Sequence, residues 1–172
     1  LASAALPLGA IRQAVAADPS LTAAKVNLAN ALGHVGELSE AVDLLFAAVE
    51  QHPDHAEACM SLALLLRGRE LGAVADSTRA RAALEACLRR DDLEHQDLVM
   101  AATSVGLADA PSVVRSGWGD RDAEARRAAA LDPAMSRFLA DPLLTLLLSK
   151  TLMMEPALEE FFAGLRAAFL DG

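Results

Sequence analysis

Residues 27–41, from Asn27 to Ala41, read NLANALGHVGELSEA. Leu28, Ala29 and Leu32 fall at helical spacing, Gly36-Glu37 interrupts the pattern, and Ser39 starts it again. Followed outwards, the stretch becomes two amphipathic helices on either side of a glycine break. The first runs from Thr22 to near Val35, with Val26, Leu28, Ala29 and Leu32 on its apolar stripe. The second runs from Ser39 to near Gln51 and carries Ala41, Leu44, Leu45, Ala48 and Val49. Asp18-Pro19 precedes this unit and Pro53-Asp54 follows it, a spacing of 53 − 19 = 34 residues. A helix pair inside a period of that length is the mark of a stacked helical repeat.

The next segment matches. Ala56 to Leu66 lies 56 − 22 = 34 residues after Thr22 to Leu32, so Leu62, Ala63 and Leu66 repeat Leu28, Ala29 and Leu32. Ala80, Leu84, Cys87 and Leu88 repeat Ala41, Leu45, Ala48 and Val49 at a distance of 80 − 41 = 39 residues. The five extra residues place an insert after Arg69, within Glu70 to Thr78. A third unit is expected with Leu98, Ala101, Ala102 and Val105 on its first helix. Pro111 to Gly119 reads as a loop, and Asp120 to Pro133 as the second helix, with Asp122 and Arg126 spaced to pair. Ile11, Ala14 and Val15 mark the last helix of an incomplete unit upstream.

Composition agrees and excludes. Hydrophobic residues make up 53% of the 172, too many for a disordered chain. Aromatics are 3% and tyrosine is absent, so alanine and leucine must build an all-α core by close helix approach. The net charge of −9 argues against a nucleic-acid binder and against docking on anionic membranes. Apolar runs such as Leu62 to Leu66 fall far short of the roughly 18 residues of a membrane span. Cys59 and Cys87 are too few for a disulfide framework. Leu1 to Pro7 lacks the charged start of a signal peptide, so a cytoplasmic protein is expected. With no initiator methionine, the chain is expected to be part of something longer.

These positions resemble the tetratricopeptide repeat. Leu28-Ala29, Leu32, Gly36, Ala41, Leu45, Ala48 and Pro53 stand at that repeat's signature spacings. Lys25 and Leu32 depart from it, sitting where the family usually carries tryptophan and tyrosine. The resemblance implies an α-solenoid of about three helix-turn-helix units over residues 1–133, with a concave surface lined by the first helices. It covers residues 7–133, and a plain helical bundle is the competing architecture.

Residues 134–172 read as a helical cap or a linker to a missing C-terminal domain. Met135 to Ala140 forms a short helix, and Asp141-Pro142 is an N-cap followed by proline at the first helical position. Leu158, Phe161, Phe162, Leu165 and Phe169 share a further apolar face. The series Phe138, Asp141 to Leu144, Leu147-Leu148, Pro156, Leu158-Glu159, Leu165-Arg166 and Leu170 resembles a known joining segment. It links tetratricopeptide regions to class I S-adenosylmethionine-dependent methyltransferase domains in some bacterial proteins. That resemblance implies a catalytic domain after Gly172 and a cofactor, S-adenosylmethionine, bound there and not in this chain.

Within the chain, chemistry is sparse. Gly33, Gly36, Gly68 and Gly72 follow no strand and make no cofactor fingerprint. His52, His55, Cys59 and Cys87 could meet around zinc, but their spacing matches no common zinc pattern. The alternative is solvated turn histidines and small core cysteines. Asp91, Asp92, Glu94 and Asp97 offer paired carboxylates for acid–base work, or simply a charged helix entry. Trp118 is either an exposed anchor or packing under a loop. No catalytic or metal residue is assigned.

The binding candidates lie opposite the packing stripe. Asn27, Asn30 and His34 on the first unit, and Met60, Leu64 and Arg67 on the second, are expected to line a peptide-binding groove. An amide donates and accepts together, which suits a peptide backbone. Methionine and leucine make the surface partly apolar, which suits a polypeptide partner. The functional expectation is a protein-interaction domain, by resemblance the substrate-recognition part of a methyltransferase. The alternatives are a non-catalytic assembly module and the recruiting domain of a glycosyltransferase.

Overall fold

Alanine and leucine at helical spacing leave the chain little choice of local structure, and every regular element among the described residues is a helix. The computed structural model describes residues 8–67, 77–93, 95–108, 110–116 and 122–150, together with 159, 160 and 163. In order the helices are α1 (Leu8–Ala17), α2 (Thr22–Val35), α3 (Leu38–Gln51), α4 (Ala56–Leu66) and α5 (Ser77–Leu88). They continue with α6 (His95–Ala108), α7 (Ser112–Ser116), α8 (Ala123–Ala130), α9 (Pro133–Leu139) and α10 (Pro142–Lys150). The expected insert after Arg69, Trp118 and the face from Leu158 to Phe169 lie outside the described residues or touch them only in part.

The helix ends follow from local chemistry. Gly36 closes α2 in the left-handed region at φ 86°, and the Glu37 amide returns to the Leu32 carbonyl at 3.0 Å. That conformation costs glycine little and other residues more. Asp122, Asp132 and Asp141 cap α8, α9 and α10 by accepting from the amides of Ala125, Ala134 and Leu143 at 2.8, 2.7 and 2.9 Å. Pro133 and Pro142 occupy the first helical positions, where a missing N–H is harmless. His55 caps α4 with Nδ1, which accepts from the Ala58 amide at 3.2 Å.

The helices pack in two layers. α2, α4 and α6 lie side by side in one, and α3, α5 and α10 in the other. The layers meet alternately along the array: α2 on α3, α3 on α4, α4 on α5, α5 on α6 and α6 on α10. α1 covers the open side of α2. Polar contacts set the directions. Arg90, past the end of α5, donates to the Pro53 carbonyl past the end of α3 at 3.1 Å. Arg81 near the start of α5 pairs with Asp141 at the start of α10, and Lys150 at the end of α10 pairs with Asp91 just past α5. Helices within the second layer therefore run parallel.

The repeated positions form the core. Leu28, Leu62 and Ala101 are buried, as are Ala29, Ala63 and Ala102, and Leu32, Leu66 and Val105. Ala41 with Ala80, Leu45 with Leu84, and Ala48 with Cys87 have no accessible surface. The helix starts carry the same arithmetic: 56 − 22 = 34 and 95 − 56 = 39, five residues longer across the expected insert. The all-α, repeat-like architecture is therefore as read.

One element differs. The second-helix position beside α6 was expected from Asp120 to Pro133. The structure gives it to α10, while α8 packs chiefly on α9. The reason is apolar surface. α8 buries Ala130 and leaves Glu124, Ala125, Arg127 and Ala128 exposed. α10 buries Leu143, Leu144 and Leu147, each worth about 1.5–3 kcal/mol on removal from water. Asp122, expected to pair with Arg126, spends its carboxylate on the α8 cap.

Candidate functional site

α2 and α4 turn their packing stripes inwards, and the residues opposite remain accessible. Asn27 and His34 on α2 are exposed, and Asn30 is half-buried between them. On α4, Leu64 is 46% exposed and Met60 half-buried. Gly33 fixes the spacing of the two helices, since a Cβ there would meet the Leu65 side chain at 3.1 Å. The neighbouring position on α6, Met100, is 48% exposed and continues the accessible face. The six expected groove residues thus stand on adjacent helices of one layer.

Their polar groups divide into two kinds. Arg67 Nη1 is 2.5 Å from Asp97 Oδ1 in the first turn of α6, so this guanidinium ties α4 to α6. Asn27 and Asn30 make no side-chain hydrogen bond to any described residue. The local side-chain-to-backbone bond that asparagine often forms in a helix is not made here. Both amides keep their donors and acceptors for solvent or for a bound group.

The other candidates resolve into structural work. Asp97 pairs with Arg67, Asp92 with Arg90 and Asp91 with Lys150. Each of these three carboxylates is paired with its own cation; Glu94 lies outside the described residues. Arg90 holds the Asp92 carboxyl below the usual carboxylate range. His55 is committed to the α4 cap and His52 ends α3 in solvent. Among the described residues no group of three histidine, cysteine or acidic side chains is placed to hold a metal.

Two features were missed from sequence. Lys25 is 95% buried by its 5% exposure, and its Nζ lies 2.5 Å from Gln51 Oε1 at the end of α3. It fills the layer interface at the place equivalent to Cys59 and Leu98, which are also buried. The hint in sequence is that Lys25 stands where the resembled repeat usually carries tryptophan. Arg79 lies over the Phe46 ring at 5.1 Å and bonds Glu50 at 2.6 Å, reaching from α5 to α3. That contact holds the Glu50 carboxyl below its ordinary range. A shallow depression of about 240 Å³, lined by Arg81, Ala134, Arg137, Phe138 and Asp141, lies at the α5–α9–α10 seam, and Arg81 there is committed to Asp141 and to the Val105 carbonyl.

No helix of the described residues is long and apolar enough to cross a membrane. Comparison with known proteins returns no match: no family model, no curated protein and no solved structure is significantly similar to the chain.

Proposed function

We propose that this chain is a protein-interaction module that recruits a polypeptide along the accessible face of α2 and α4. The observation that carries the reading is the pair Asn27 and Asn30, amides without a partner among the described residues, beside the apolar Met60 and Leu64. Amides bond the backbone of an extended peptide, whatever its sequence. Met60 and Leu64 gain by covering an apolar side chain of that peptide. His34 and Arg67 edge the same face, Arg67 already steadied by Asp97. By the resemblance of residues 7–133 to tetratricopeptide repeats, the ligand is an extended segment of a protein. By the resemblance of the later segment, the module selects protein substrates for an S-adenosylmethionine-dependent methyltransferase domain, which would hold the cofactor.

Binding to a peptide array, followed by titration of the selected peptides, tests this. The double change Asn27→Ala with Asn30→Ala weakens binding roughly tenfold, the effect of about one net hydrogen bond. Leu64→Asp weakens it further by placing a charge on the apolar patch. Unaltered affinity in both variants removes this face from the site. A parent reading frame with no glycine-rich strand–turn–helix unit beyond Gly172 removes the methyltransferase part alone.

A further inference from the structure

α2, α4 and α6 carry one lysine or arginine between them, Lys25, and it is buried and bonded to Gln51 at the end of α3, in the other layer. Of the two carboxylates on these three helices, Asp97 is paired with Arg67. The other is Glu57, in the first turn of α4, exposed and without a partner among the described residues. Arg90, which bonds the Pro53 carbonyl ahead of α4, is taken by Asp92. The accessible side of this layer therefore holds a negative charge that no described cation answers.

The place of that charge decides its use. Glu57, Met60 and Leu64 fall at i, i+3 and i+7, one side of α4, while Ala58, Cys59, Leu62 and Ala63 are buried. At the repeat distances, 57 − 34 = 23 and 57 + 39 = 96, stand Ala23 and Gln96, both exposed and both uncharged. Glu57 is thus the one charge of its row. Leu64 and Met100 are 46% and 48% exposed and supply apolar surface on the same side. From Glu57 to Leu64 the helix advances 64 − 57 = 7 residues, a rise of about 10.5 Å. An extended chain covers that length in about three residues.

We propose that the polypeptide recruited by this face is cationic. It sets a lysine or arginine against Glu57 and, about three residues away, a large apolar side chain on Leu64. This rests on the recruiting role proposed above and adds the chemistry of the partner. The chain's net charge of −9 draws a cationic segment in from a distance and repels an acidic one. Contact then pairs the cation with Glu57 while Leu64 leaves water. Because Glu57 stays hydrated, the pair discriminates by roughly a few-fold, not by orders of magnitude.

The test uses the folded 172-residue chain and labelled peptides of glycine, serine and threonine. Each peptide carries one leucine and, at the spacing above, a lysine, a glutamine or a glutamate. Fluorescence anisotropy ranks them lysine, glutamine, glutamate, with lysine roughly threefold tighter than glutamine. Added salt draws the three together. Glu57→Gln removes the advantage of lysine, and Glu57→Lys reverses the order. Asn27→Ala with Asn30→Ala weakens all three and keeps their order. The proposal is overturned if Glu57→Gln leaves the lysine preference in place, or if the lysine peptide binds as well without its leucine. Three peptides that bind the parent alike, and are all weakened by the asparagine change, overturn the charge selection and leave the recruiting role standing. No binding by any peptide of this series or of the array removes both.

Discussion

The first and third helix pairs occupy equivalent places in the two layers and are built in different ways. α2 and α3 are joined by one glycine break and packed through Val26, Ala29, Leu32, Ala41, Leu45 and Ala48, all without accessible surface. α6 and α10 are separated in the chain by α7, α8 and α9, and meet only after that detour. The pairing is pinned at its ends by charge. Arg81 bonds Asp141 and the Val105 carbonyl, linking α5, α6 and α10, and Lys150 bonds Asp91. Side-chain exposures of 19% for Arg81 and 16% for Asp141 place that pair well out of bulk water. A contiguous pair finds its partner through local connection and needs only shape. A discontinuous pair pays more loop-closure entropy and gains from specific polar anchors that choose the register.

The largest effect should come from breaking the tight pair. Leu45→Ala empties a fully buried position on α3 and lowers the unfolding free energy by about 3 kcal/mol. The urea midpoint at unchanged slope reads it. A loss below about 1 kcal/mol would mean that the first pair is not the close-packed element of the array. Next is the pin of the third pair. Arg81→Met keeps the aliphatic stem and leaves the Asp141 carboxylate without its guanidinium, a loss of about 2 kcal/mol. Amide exchange in α10 should quicken while α3 holds its protection. If the cost stays within about 0.5 kcal/mol, as for an ordinary surface change, the leucines of α10 alone hold it in place.

This contrast explains what could be read beforehand. Leu28, Leu62 and Ala101 share a period, and the buried alanines beside them follow from helical spacing, so layers and pairs one and two were visible. The place of α10 was not, because its partner α6 lies far upstream and α8 offered a nearer helix of the right length. The polar anchors were equally hidden: Arg81 and Asp141 are 60 residues apart, Lys150 and Asp91 59, and Arg67 and Asp97 30. No periodicity encodes such distances. At the candidate face, Asn27, His34 and Leu64 were legible as the side opposite the stripe. Lys25 was not, since a lysine reads as solvated until Gln51, 26 residues on, supplies its partner.

The glycine break of the first pair gives the third test. Gly36→Ala meets no atom within 4 Å, so any loss comes from the backbone alone. At φ 86° an L side chain costs about 1 kcal/mol. The same change at Gly9, also with open space but inside α1 and without the positive φ, should be neutral or slightly stabilising. Equal losses at the two sites would show that the break is not what sets the α2–α3 turn.

The smallest effect concerns the middle of the array, where Arg79 of α5 reaches Glu50 of α3. The Glu50 carboxyl is held below its ordinary value of 4.5, first by the hydrogen bond from Arg79, which outweighs the opposing effect of burial, with the charge of Arg79 adding least. A carboxyl whose folded value is depressed binds protons more readily when unfolded. Its contribution is therefore complete above 4.5 and disappears as pH falls through the lower folded value. Side-chain exposures of 51% for Glu50 and 33% for Arg79 let solvent screen the pair, so the contribution is about 0.5 kcal/mol. Glu50→Gln should be less stable than the parent by that amount at pH 7, with the difference shrinking as pH drops below 4.5 and also in high salt. A difference that persists unchanged at the lowest pH at which both fold would assign the loss to packing on Phe46 and Arg79. The adjacent pairs of α3 and α5 would then be joined as α2 and α3 are, by shape, and charge pinning would belong to the discontinuous third pair.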